Sequence, residues 1–202
     1  MGRLLNFSRA IDRFNTRVGS VVAWAILIAV VVSAVNAIIR KVFNTSSNSW
    51  LELQWILFGA VFLLCAPWTL LSNEHIRIDI VNNALPKRVR DWIDVFGHVF
   101  FLLPMTGLIA WLGWPFFWLS VMQDEQSTNA GGLPVYPSKL LIPLAFTLLF
   151  VQGISELIKR IAIIRGELAD TVSGGGHHAA AEAEAERVIQ AAKAEAEQRG
   201  VS

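Results

Sequence analysis

Long apolar runs alternate with short clusters of charge along this 202-residue chain. A helix rising about 1.5 Å per residue needs roughly 20 consecutive apolar residues to cross about 30 Å of hydrocarbon. Four stretches reach that length, at 18–39, 50–71, 95–122 and 140–164. Each is too long and too continuously apolar for a barrel strand, which alternates in and out over about ten residues. The pattern therefore predicts an all-α integral membrane protein with four transmembrane helices. Ahead of the first run, Leu4, Leu5, Phe7, Ile11 and Phe14 are interleaved with Arg3, Arg9, Arg13 and Arg17, so residues 1–17 are expected to form an amphipathic arm in the membrane interface. The first run exceeds the usual signal-peptide core and no small-x-small cleavage site ends it, which reads as a retained helix. Residues 18–164 are then the four-helix transmembrane domain. Residues 165–202 read as a glycine-rich linker and an Ala- and Glu-rich helical tail, and the Gly174-Gly175-Gly176-His177-His178 run also has the composition of an introduced linker.

Composition agrees with a lipid solvent: 54% of residues are hydrophobic and 16% are charged, against about 25% charged in soluble domains. Basic residues fall between spans rather than along one stripe with aromatic platforms, which argues against a nucleic-acid surface. Their distribution predicts orientation. Arg3, Arg9, Arg13 and Arg17 precede the first span, Arg77, Lys87, Arg88 and Arg90 fill the second loop, and Lys159, Arg160 and Arg165 close the fourth. The other two loops offer only Arg40, Lys41 and Lys139, so both termini are expected to be cytoplasmic. Trp50, Trp68, Trp92, Trp114 and Trp118 lie near span ends, as interfacial anchors do. Pro67, Pro104 and Pro115 predict kinks, whereas Pro143 is placed in the first turn of the fourth span, where a missing N–H costs little.

Candidate chemistry is sparse. The lone Cys65 supports neither a disulfide nor a cysteine metal site, and reads as a buried thiol. Ser49 and Glu52 have the spacing of a capping box, and the competing reading of Glu52 is an intramembrane carboxylate for substrate or ion chemistry. His75 and Asp79 are spaced as two ligands on one helical face, but two do not close a metal site, and a hydrated, salt-bridged elbow is favoured. His98 lacks a second intramembrane histidine for haem. Glu156 and Arg160 form a favourable i, i+4 pair, and Gly107, Ala110 and Gly113 permit close helix approach, within the bundle or to a partner. The loop Ser127-Thr128-Asn129-Ala130-Gly131-Gly132-Leu133-Pro134-Val135-Tyr136-Pro137 reads as a turn-rich connector or a partner-binding element. No cofactor or metal is indicated.

Three features together resemble the small membrane (DctQ-like) subunit of tripartite ATP-independent periplasmic (TRAP) transporters. They are Trp50-x-Glu52 at the start of the second span, His75-Ile76-Arg77-Ile78-Asp79 followed by Leu85-Pro86-x-x-x-Arg90, and Gly131-Gly132-Leu133-Pro134 before the fourth span. Glu52 stands alone where the family often has paired acids. The third loop and the region 143–156 look most like the mannitol or chloroaromatic branch.

The resemblance implies a non-enzymatic scaffold in a bacterial inner membrane, working with a large DctM-like permease and a periplasmic solute-binding protein. Uptake of an organic acid would be driven by a sodium gradient, and Trp50, Glu52, His75, Arg77, Asp79, Gly131, Gly132 and Pro134 become candidate structural or partner contacts. A midplane with Asn36 and His98 as its main polar residues suits that role, because transporters place their substrate sites among broken helices with polar lining. The competing classes are an electron-transfer membrane anchor, a dimeric exporter and an intramembrane enzyme. The first lacks paired histidines, the second a deep carboxylate, and the third a nucleophile with its base.

Overall fold

In the computed structural model, which describes residues 2–45, 47–72 and 86–168, four helices are long and apolar enough to span a membrane. They are α1 (Gly2–Phe43), α2 (Asn48–Leu71), a third built from α3 (Lys87–Gly97) and α4 (Leu103–Met122), and α5 (Tyr136–Ile164). A π turn at His98–Leu102 joins α3 to α4 without a break.

Local chemistry explains the ends. Asn44 leaves α1 with a φ of 52°, a left-handed conformation that Asn adopts more readily than most residues. At the end of α5, Gly166 has a φ of 75°. Its N–H donates to Ile163 O at 2.9 Å and the Glu167 N–H to Ala162 O at 3.0 Å, the paired bonds that satisfy the last carbonyls of a helix. The π turn immediately precedes Pro104. Its closing bond runs from the Leu103 N–H to His98 O, so the backbone adjusts just before the residue that has no N–H to give.

One placement differs from the sequence reading: Pro143 lies within α5 rather than in its first turn, since the helix begins at Tyr136 and Pro137 takes the early position. The stretch expected as an amphipathic arm is continuous with α1, with Ser8, Ile11 and Asn15 buried and Ser8 and Asn15 bonded to α5. Pro67 and Pro115 lie inside α2 and α4.

Helix α5 is the hub: α1, α2, α3 and α4 all pack against it. Small residues make the approach close. A Cβ on Gly113 would lie 3.0 Å from Pro143, and one on Gly107 would lie 3.2 Å from Phe150, so these two glycines serve packing inside the bundle. Gly19 on α1 faces Trp68 of α2 in the same way, and the half-buried Cys65 points its thiol to Gly19 O at 3.9 Å. Outward surfaces of the spans are almost wholly apolar, from Val21, Trp24 and Ile28 on α1 to Phe101, Leu108 and Trp111 on the third span. That arrangement belongs in lipid or against another membrane protein.

Candidate functional site

Polar side chains gather at the two ends of the bundle. At the end formed by the first and third loops, Glu52 projects from the second turn of α2 toward residues 123–135. One carboxylate oxygen accepts from the Ser127 hydroxyl and from Asn129 Nδ2 at 2.8 Å, and the other accepts from the Leu133 N–H at 2.6 Å. Beside it, Asn48 Nδ2 donates to Ala130 O at 2.9 Å and the Ser49 hydroxyl donates to Gly131 O.

The expected Ser49–Glu52 capping box is therefore not formed. The helix starts two residues earlier, Ser47 occupies the capping position, and both side chains turn to the third loop instead. A backbone loop with unsatisfied N–H and C=O groups outcompetes the helix's own terminus for these side chains.

That loop is shaped for the contact. Gly131 has a φ of 69° and is the turn residue. A Cβ at Gly132 would fall 2.5 Å from Ser127 Cβ and 2.7 Å from Glu52 Oε1, so only glycine lets the loop close on the carboxylate. Gln126 bridges Pro134 across the loop, the Ser127 N–H donates to Leu133 O at 3.2 Å, and the Val135 N–H donates to Glu125 O at 2.9 Å. Glu125 also binds the Lys139 ammonium and accepts from the Ser120 hydroxyl at 2.6 Å, and these two donors, Lys139 foremost, hold its carboxyl below the usual carboxylate range. Lys139 lies 4.2 Å over the Phe116 ring, within cation–π range.

The opposite end is tied by ions. Asp12 on α1 accepts from Gln152 Nε2 and Ser155 Oγ, both at 2.9 Å, and pairs with Lys159 Nζ at 3.1 Å. Lys159 also reaches Glu156 at 2.6 Å. Because Gln152 gives its amide N–H groups to Asp12 and Glu156, its carbonyl must face Asn15, whose Nδ2 donates to it at 2.7 Å. Asn15 Oδ1 is thereby left buried without a partner. Ser8 and Ser155 share a hydrogen bond of 2.6 Å. On the other flank of α5, Arg160 pairs with Asp91 at 3.3 Å and Asp94 at 2.7 Å. The expected Glu156–Arg160 pair is replaced by Glu156–Lys159, since two carboxylates on α3 claim the guanidinium.

Of the candidates from sequence, Glu52, Gly131, Gly132 and Pro134 come together in the first cluster, and Trp50 stands exposed at the start of α2. His75, Arg77 and Asp79 lie outside the described residues, as does the tail from 169 onward. His98 gives Nδ1 to Asp94 O at 2.7 Å and buries an unpartnered Nε2. The ionic cluster was missed from sequence. Its signal was a polar stripe at Ser8, Asp12 and Asn15, matched by Gln152, Ser155, Glu156 and Lys159 at helical spacing. Among the described residues, no three His, Cys, Asp or Glu side chains gather as metal ligands.

Both clusters join elements of the bundle to one another. Residues 28–162 match the DctQ component of tripartite ATP-independent periplasmic transporters. The chain belongs to the DctQ family. It is thus the small membrane subunit of a TRAP transporter. The match is to the DctQ family as a whole and singles out no mannitol or chloroaromatic branch. No curated protein and no solved structure matches the chain. The DctQ match covers the Glu52 clamp and α3, whereas the α1 side of the ionic cluster, at Ser8, Asp12 and Asn15, precedes it.

Proposed function

We propose that the subunit is the fixed scaffold partner of a large permease, in a binding-protein-dependent system that takes up an organic acid or related solute on a sodium gradient. The observation that carries this reading is the division of polarity. Both ends are tied by dense polar clusters, while the middle of the bundle is apolar and its outer faces are broad and unpolar. A chain that conducted an ion or solute itself would need polar lining at the midplane. Here the buried polar side chains between the two clusters include Asn36 on α1 and Thr106 on α4, and the Thr106 hydroxyl donates to Leu102 O at 2.7 Å. Substrate and sodium sites accordingly belong to the large subunit.

The basic residues at the Asp12 end support a cytoplasmic position for both termini in a bacterial inner membrane. The clamped third loop then faces the periplasm, where a preshaped backbone surface suits contact with the solute-binding protein.

Extraction from native membranes in mild detergent, with mass spectrometry of co-purifying proteins and an absorbance scan, tests this reading. A stoichiometric multi-span permease and no Soret band are expected. Recovery with redox subunits and haem, or only as copies of itself, would defeat it.

A further inference from the structure

Polarity at the Asp12 end is sorted in a way that the scaffold role does not require. The carboxylates of Asp12, Asp91, Asp94 and Glu156 turn inward onto Lys159 and Arg160. Arg9, Arg13, Arg17 and Arg88 turn outward. Helix α3 shows the sorting most clearly: Asp91 is 7% exposed on its inner face, whereas Trp92 is 63% exposed on its outer face, with Val89, Ile93 and Phe96 beside it. A helix lying in water would be built the other way round.

The outer face of α3 carries a groove of about 380 Å³ lined by Arg88, Val89, Trp92, Ile93 and Phe96. The lining is almost wholly apolar, and the exposed Arg88 stands at one end. The other runs into the span surface, where Phe96 stacks on the exposed Phe100 at 4.6 Å. Arg88 and Phe96 are separated by about 12 Å along the helix. A cation, then an indole, then an apolar channel continuous with the lipid-facing span match a phosphate headgroup, the glycerol level and an acyl chain in order.

The geometry points to this groove as a binding site for an anionic phospholipid, held by Arg88 and Trp92. Inward placement of the acids removes the charges that would repel such a headgroup, and each arginine near an anionic surface favours binding by about fivefold.

The test uses the full chain in nanodiscs of equal phosphatidylcholine and phosphatidylglycerol, with retained lipid read by native mass spectrometry. Phosphatidylglycerol should be retained over phosphatidylcholine by about fivefold. Arg88→Gln should bring the ratio close to one, Arg88→Lys should restore most of it, and Arg40→Gln, exposed at the opposite end of α1, should leave it unchanged. Equal retention of the two lipids by the unaltered chain would overturn the assignment. A preference that survives Arg88→Gln would also overturn it, because the selectivity would then lie elsewhere on the surface.

Discussion

The two ends of the bundle are held by different chemistry. At the loop end, one carboxylate, Glu52, grips a backbone turn through neutral donors, and the fit depends on what glycine lacks. At the terminal end, Asp12, Asp91, Asp94, Glu156, Lys159 and Arg160 join three helices through side-chain charge. The first shapes a surface, whereas the second fixes the spacing of rods. A loop clamp is therefore vulnerable to added volume, and an ionic clamp to loss of a partner.

The largest effect is expected at the ionic end. Arg160→Ala leaves the buried Asp91 without its cation, and breaking a buried pair by removing one partner typically costs about 3 kcal/mol or more. Thermal unfolding in detergent should show the loss, and Asp91→Asn combined with Arg160→Gln should recover much of it. Near-neutral behaviour of Arg160→Ala would mean that the rods are spaced by packing alone.

Next comes the loop. Gly132→Ala drives a methyl group into Ser127 and Glu52 and is expected to cost about 1 to 3 kcal/mol. Gly131→Ala, a matter of backbone strain at positive φ, should cost about 1 kcal/mol. Limited proteolysis within 123–135 should rise in that order. If Gly131→Ala proved the worse, conformation rather than closeness to the carboxylate would govern the loop.

The smallest effect concerns acid. The folded-state pKa of Glu125 is lowered by Lys139 and Ser120, so its contribution is present above the ordinary carboxylate pKa and is lost as pH falls through the lowered value. Hydrogen exchange across 123–135 should therefore be faster in Lys139→Met than in the parent at neutral pH, and the difference should vanish in acid. A difference that persisted at low pH would assign the role of Lys139 to its contact with Phe116.

Much of the architecture was legible because lipid imposes it: an apolar run of sufficient length has few alternatives to a spanning helix. The polar contacts were less legible, for a reason visible at Glu52. Ser49 is three residues away and suggested a local cap, yet the partners that win lie about 80 residues downstream, and sequence spacing carries no information about them. Arg160 repeats the lesson, since its i, i+4 neighbour Glu156 loses to acids on α3. Asp12 differs. Its stripe with Ser8 and Asn15 could be read as an inward face, and what sequence lacked was the identity of the helix opposite.

Helix α1 has a consequence beyond packing. Its 42 residues contain no proline, and at about 1.5 Å per residue they make a rod of about 63 Å, twice the hydrocarbon thickness. Such a rod acts as a lever. A tilt of about 5° imposed by a neighbour at the loop end moves Asp12 by about 4 Å, more than a hydrogen bond can stretch. The ionic clamp is thus the fulcrum lock: while it holds, α1 and α5 rotate together or not at all.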